Sequence, residues 1–421
     1  MARMARSEVF APDEVAVVHV MNRVVRRCYL LGNDPVSGKN YDHRKVMIEL
    51  QLQRLAGALG IDLLGFAIML NHFHLILRSR PDVVASWDDT EVARRWLLIC
   101  PVRKNSAGDP GETGSGSVRG ACTCFSRIPS TAGDPEEPNE FELNSIRNDP
   151  RKLEILRLRL SDLGWWMRVL CQYIAVRANR EDHELGKFWQ SRFRAVRLLD
   201  EAALLACAAY VDLNPIRAAM AETLEQSDYT SVQRRLQSAL PANDDSRSAT
   251  SGTVQANEES SGNPITSIIP EAIGTEEVSQ AVSTIVVAPH ATADRFLSPI
   301  ALISANENRL QPQASSQRFR CSDKGFLAMS QGDYLELLDW TARQVAPGKR
   351  GTTPPSTPPL FQRLSGKLPT ATAWVELVQD FGKLFATVAG HPQTIRATRS
   401  RISGFPHRMR PRIRQLLPTS E

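Results

Sequence analysis

The stretch IDLLGFAIMLNHFHLIL, residues 61–77, constrains this chain more than any other. Two apolar runs, 61–70 and 72–78, are divided by Asn71 and predict two β-strands. On a strand, side chains i and i+2 leave the same face, so His72 and His74 project together while Phe73 points the other way. Histidine is an unusual guest in such a run. Two readings stay open from these residues alone. Either both are core or edge-strand histidines, each hydrogen-bonded separately, or the two imidazoles hold a shared ligand such as a metal ion.

Upstream, EVAVVHVMNRVV (14–25) alternates as a strand does, carrying His19, with Asn22 and Arg23 near its end. Between the strands, Ile48, Leu52, Leu55 and Leu59 form a helical stripe over 41–60, and Gly60 is its expected stop. The order β-α-β-β implies an α+β fold: a small antiparallel sheet with helices on one face, as in ferredoxin-like folds. His19 and His43 are expected to be structural or solvent-exposed, and His183 to sit in a loop.

Beyond Arg80 the pattern breaks. SWDDTEVARRWLLIC (86–100) predicts a short helix with Ser86 and Asp89 at capping-box spacing. Residues 104–118 and 128–140 are rich in Gly, Ser and Pro and predict loop. Helix resumes at Asp149-Pro150, a cap and first-position pair, and continues through 160–179. AVRLL (195–199) predicts a fourth strand, and DEAALLACAAYVDL (200–213) a helix with acids in its first turn. Residues 239–290 are poor in aromatics and rich in Ser, Ala, Glu and Thr, as linkers are.

A chain of 421 residues exceeds one compact domain, and 42% hydrophobic residues suffice for a core. The expected division is a domain over 1–235 with a loop and helix insertion at about 80–150, a flexible linker over 236–322, and a mostly helical module over 323–421 ending in a basic tail. No segment approaches the ~18 apolar residues of a membrane span. The first residues, MARMARSEVFAPDEV, carry no apolar stretch of the secretory kind, so a cytoplasmic protein is expected. The seven cysteines are scattered and read as reduced thiols; only Cys122 and Cys124 lie close. A net charge of +5 is mildly basic, which permits a nucleic-acid partner without requiring one.

NHFHLIL (71–77) resembles the His-hydrophobic-His strand of the IS200-like tyrosine (Y1) transposases, which belong to the HUH nucleases. FWQSRFRAVRLLDEAALLACAAYVDLNPIRAAM (188–220) resembles the closing segment of their REP-associated relatives, and VVHVMNR (17–23) their first strand. Leu70 departs from the proline that the family usually carries before the motif's asparagine. The resemblance covers about residues 14–235 and implies a DNA transposase. It would cleave and rejoin single-stranded DNA, from hairpin-forming element ends, through a 5′-phosphotyrosine. Carried over by position, Tyr210 is the nucleophile, and His72, His74 and Asn214 are ligands of a divalent metal, Mg²⁺ or Mn²⁺. In the family both dimers and monomers occur, so a homodimer stays open.

The residues are compatible with that chemistry. Tyr210 and Asn214 stack on one helical face at four-residue spacing. A free phenol, with a pKa near ~10, is a poor nucleophile unaided. Pro215 disfavours helical dihedrals at Asn214, so Asn214 reads equally as the cap of a second helix. Tyr173 is the rival nucleophile, but its i+4 neighbour is Arg177, which cannot ligate a metal. For tracking a strand, GKFWQSRFR (186–194) offers Lys187, Trp189, Arg192 and Arg194, joined by Arg23 and Arg217. Two other classes remain: a single-stranded nucleic-acid-binding or regulatory protein derived from a transposase, without catalysis, and a metal hydrolase using His72 and His74, with Asp212 as its nearest acidic base.

Overall fold

The computed structural model describes residues 13–25, 29–34, 38–101, 137–239, 293–302, 312–344, 371–401 and 410–417. Their elements run β1 (Val17–Arg23), α1 (Asp42–Ala58), β2 (Ile61–Ile68), β3 (His72–Ser79), α2 (Pro81–Ser86), α3 (Asp89–Ile99), α4 (Glu140–Arg147), α5 (Pro150–Leu160), α6 (Leu163–Glu181), β4 (Arg194–Leu198), α7 (Glu201–Asp212), α8 (Asn214–Arg217) and α9 (Ser231–Ala239). The C-terminal part adds α10 (Gln331–Arg343), α11 (Ala371–Gln379), α12 (Phe381–Leu384), β5 (Val388–Ala389), α13 (Pro392–Arg401) and α14 (Pro411–Leu416). This is a mixed α+β architecture around a five-stranded sheet of order β2-β3-β1-β4-β5. The first four strands pair antiparallel, and β5 joins β4 in parallel.

Period-two alternation sorts the sheet into two faces. Val18 and Val20 of β1 and Phe73, Leu75 and Leu77 of β3 enter one core with α1, α3, α5 and α6. Ile76, Val196 and Leu198 enter a second core with α7, α10 and α11, on the face that carries His72 and His74. Helices therefore cover both faces, not the one face expected. The reason lies in β2, where every residue from Ile61 to Ile68 is buried: such a strand has no solvent side to offer. α7 shares this fate. Ala203 to Ala209 are all buried, as in a helix enclosed all round, and its small side chains let sheet and C-terminal helices approach from opposite sides.

The expected linker also needs correction. Of 236–322, residues 293–302 and 312–322 are described, and Phe296, Leu297 and Cys321 are part of the first core. Their anchor is Asp62, fully buried at the start of β2. Its carboxylate accepts from Arg78 Nε (2.8 Å), Ser322 Oγ (3.0 Å) and Cys321 Sγ (3.0 Å), with Arg80 Nη1 at 3.4 Å. Arg78 also donates to the carbonyls of Lys324 and Gly325. A buried carboxylate needs such partners, and here the C-terminal segment supplies half of them.

Local signals fared unevenly. Asp149 caps its helix as expected, accepting from Lys152 N at 3.0 Å, and Asp200, expected inside the first turn of its helix, is instead its cap, accepting from Ala203 N at 3.0 Å. The helix predicted over 86–100 is α3, shorter at its start: Asp88 caps it by accepting from Glu91 N, while Ser86 ends α2 and donates back to Val83 O. The loop expected at 104–118 lies outside the described residues; of 128–140, Asn139 forms a capping box with Glu142 at the start of α4. No helix among the described residues is long and apolar enough to cross a membrane.

Candidate active site

In the antiparallel pairing of β1 with β3, Met21 lies opposite His74 and Arg23 opposite His72, so these four share a face. His19, two residues before Met21, joins them. Its Nε2 is 2.9 Å from Nδ1 of His74, and the two rings stack with centroids 5.2 Å apart. His72 stands edge-on to His74 at 5.0 Å, and its Nδ1 meets Oδ1 of Asn71 at 2.8 Å. His19 is buried and lies at the centre of the cluster, not at the surface. His43, by contrast, is exposed and pairs with Glu181, and exposed His183 sits just beyond α6 with a positive φ of 55°.

Tyr210 enters from the last turn of α7. Its ring is edge-on to both His74 and His19, with centroids at 5.4 and 5.9 Å. The C-terminal module supplies the opposite wall. Phe381 stacks on Tyr210 at 5.7 Å and 28°. A Cβ placed on Gly382 would lie 3.1 Å from the Tyr210 Oη, so α12 passes directly over the phenol. Arg194 of β4 completes a cavity of about 200 Å³, below the ~300–1,000 Å³ typical of small-molecule sites.

The site is largely buried, and burial keeps its histidines neutral. Burial, with Arg194 adding, brings His19 down to about 3. Burial and then Arg23 bring His72 to about 4. His74 is held well below the ordinary value, by burial first and then by His19, His72 and both arginines. Burial raises Tyr210 above the ordinary phenol value and Cys207 adds to it, while Asn214, Arg217 and Arg194 pull the other way.

Of the residues expected from the sequence, the structure brings His72, His74 and Tyr210 together, with Arg194 beside them and exposed Arg23 at the end of β1. Asn214 opens α8 and makes no side-chain cap. Its Nδ2 is buried without a hydrogen-bond partner one turn from Tyr210, and it forms no hydrogen bond to His72 or His74 among the described residues. Arg217 is turned to the C-terminal module: its Nη1 donates to Val378 O at 2.6 Å, and burial lowers it to about 10. Trp189 lies across the sheet from the histidines, edge-on to Phe73 at 5.5 Å. Lys187 and Arg192 are exposed on the connection between α6 and β4. Tyr173 is buried in the first core with Arg177 over its ring at 4.5 Å, away from this cavity.

No group of three or more His, Cys, Asp or Glu side chains able to hold a metal ion occurs among the described residues. The histidines nonetheless fit part of the role. His74 Nε2 is buried without a hydrogen-bond partner. In the tautomer where His74 Nδ1 donates to His19, that Nε2 is a bare lone pair, oriented by its neighbour as metal-binding imidazoles usually are. Two imidazoles without a carboxylate favour zinc-like ions over Mg²⁺ or Mn²⁺. Compared with known proteins, the chain matches no family model, no curated protein and no solved structure.

Proposed function

We propose that this chain is a DNA strand transferase of the tyrosine HUH type, a transposase that cuts and rejoins single-stranded DNA. The observation that carries the reading is the meeting of Tyr210 with His74 and His19 in one buried cavity beside Arg194. The antiparallel order β2-β3-β1-β4 also supports a ferredoxin-like core.

In this mechanism Tyr210 Oη attacks phosphorus, the bond to the 3′-oxygen breaks, and a 5′-phosphotyrosine and a 3′-hydroxyl result. The phenolic proton is lost to water, and the leaving 3′-oxygen takes up a proton from water. The ester energy is kept in the covalent link, so no energy cofactor is needed. Asn214 favours the phenolate, and Arg194 neutralises phosphate charge. His72 and His74 would hold the divalent metal, whose chemistry when bound is to polarise the scissile phosphate.

Phe381 over Tyr210, and the raised phenol pKa, favour a second reading: a single-stranded nucleic-acid-binding protein without catalysis. The hydrolase reading fares worse. The Asp212 carboxylate is taken by Ser231 Oγ (2.5 Å), Val232 N (3.1 Å) and Tyr334 Oη (2.7 Å), which fix α9 and α10 on α7. The test is to incubate labelled single-stranded DNA from the gene's own flanks with the protein and Mn²⁺, then run a denaturing gel. A protein–DNA adduct absent in Tyr210→Phe and with chelator supports transfer. Binding with no adduct on any flank moves the non-catalytic reading to the front.

A further inference from the structure

A second cavity, of about 430 Å³, opens on the other face of the sheet, at the same end as the Tyr210 site. It lies between α6 and the residues that lead into β4. Trp165 and Arg168 of α6 form one side; Trp189, Arg192 and Phe193 form the other; Asn22 of β1 lies between them.

The side chains are pre-arranged. The Arg168 guanidinium lies 4.8 Å over the Trp165 ring, which is also covered by Arg159 at 4.6 Å. A ring holds a guanidinium flat and leaves its N–H edge for an anion. Trp189 is locked by its indole N–H, which donates to Cys171 O at 2.8 Å. Asn22 is 4% exposed. Its Oδ1 accepts from Arg23 N, but the one bond from its Nδ2 goes to Cys171 Sγ at 3.3 Å, a weak acceptor. A buried amide so poorly used lines a cavity with three aromatic rings and two arginines. The carboxylate at the rim, Asp162, is engaged in capping α6 through Gly164 N at 2.6 Å.

We propose that this cavity is a base-binding subsite: it takes one unpaired base of a single-stranded nucleic acid, stacked among the aromatic side chains, with the flanking phosphates met by Arg168 and Arg192. Stacking on aromatic side chains with arginines along the backbone is how sequence-tolerant single-strand sites work, and a buried amide adds hydrogen bonds to a base edge. A duplex cannot enter, because its bases are stacked and paired.

The two cavities share their boundary. Asn22 lines the base cavity, and Arg23 follows it on the histidine face. Phe193 lines the base cavity, and Arg194 lines the Tyr210 site. Adjacent residues at the end of β1 and at the start of β4 thus divide between opposite faces, so a strand rounding this end of the sheet can offer a base to one cavity and a phosphate to the other. The inference rests on the single-strand reading of the protein, but not on its catalysis.

The test uses the full chain and fluorescein-labelled DNA of about twelve nucleotides, single-stranded and duplex, with RNA of the same sequence as a third arm. Anisotropy gives affinity, and quenching of tryptophan fluorescence reports on the cavity. Expected is binding of single strands over duplex, quenching on binding, and affinity at least about tenfold weaker in Arg168→Gln and in Phe193→Ser. RNA binding as tightly as DNA assigns the subsite to single strands of either sugar; a preference for one names its source. Unchanged affinity in both variants, or no single-strand binding by wild type, overturns the subsite. Covalent adducts are scored in the same samples. Weaker binding in the variants with no adduct anywhere keeps the subsite and removes the transferase. An adduct in wild type with unaltered binding in the variants does the reverse.

Discussion

Nε2 of His19 lies 2.9 Å from Nδ1 of His74, in a buried contact between two adjacent strands that share no turn. This contact couples the tautomers of the two rings: where His74 Nδ1 donates, its unpartnered Nε2 is a lone pair, and where it accepts, that Nε2 is an N–H. Outer partners of metal-binding histidines typically contribute ~10–100-fold in affinity. His19→Phe is therefore expected to weaken Mn²⁺ binding by about tenfold or more, measured by the loss of free-ion signal in electron paramagnetic resonance titrations. Equal affinity in wild type and variant would remove His19 from the site.

The same burial makes stability depend on pH. Unfolded imidazoles take up protons near ~6.5, whereas folded His19 and His72 do so only at about 3 and about 4. The unfolded state therefore binds more protons across that window, and stability present above pH ~6.5 is lost as pH falls toward 4. Each such histidine contributes up to ~1.4 kcal/mol per pH unit. Urea unfolding at a series of pH values should show this slope, and it should flatten in His19→Gln. A slope unaltered in the variant contradicts the burial of His19.

Phe381 is fully buried against Tyr210, and Phe385 packs on it at 4.9 Å. Phe381→Ala should cost about 3–5 kcal/mol in denaturant unfolding, as large-to-small core changes do. It should also speed nitration of the Tyr210 phenol, read by mass spectrometry of the digested protein. Nitration as slow as in wild type would mean that α12 does not cover the phenol.

Asp62 compensates two buried arginines, Arg78 and Arg80. Asp62→Ala leaves both charges with one partner fewer, and breaking a buried pair costs about 3–5 kcal/mol. The loss should appear first as protease cleavage within 312–327, because Arg78 and Ser322 tie that segment to β2 and β3. Cleavage at an unchanged rate would show that the apolar contacts of Phe296 and Cys321 hold it alone.

Much of the frame was legible because it follows from periodicity. The strands β1 to β4, the stripe of α1 and the cap Asp149 each need only neighbouring residues. His19 was not legible as a site residue. One histidine in an alternating strand carries no signal until the register sets it beside His74, and a one-residue slip would have turned it to the other face. The cover from Phe381 is a contact between segments distant in sequence, and nothing local marks it. The aromatic-poor composition of 239–290 marks a linker but says nothing of 293–302 and 312–322, which buried Phe296 and the contacts of Cys321 and Ser322 with Asp62 anchor. The second covered face was readable: the run LLGFAIML at 63–70 has no polar alternation and already asked for cover on both sides.

The central claim is that Tyr210 is a nucleophile toward single-stranded DNA. The most direct measurement is tandem mass spectrometry of protein reacted with that DNA, digested by nuclease and protease. The account predicts a nucleotide mass on the peptide that contains Tyr210, fragmenting to that residue. A nucleotide on the Tyr173 peptide, or none on any peptide while the protein stays bound to DNA, contradicts it.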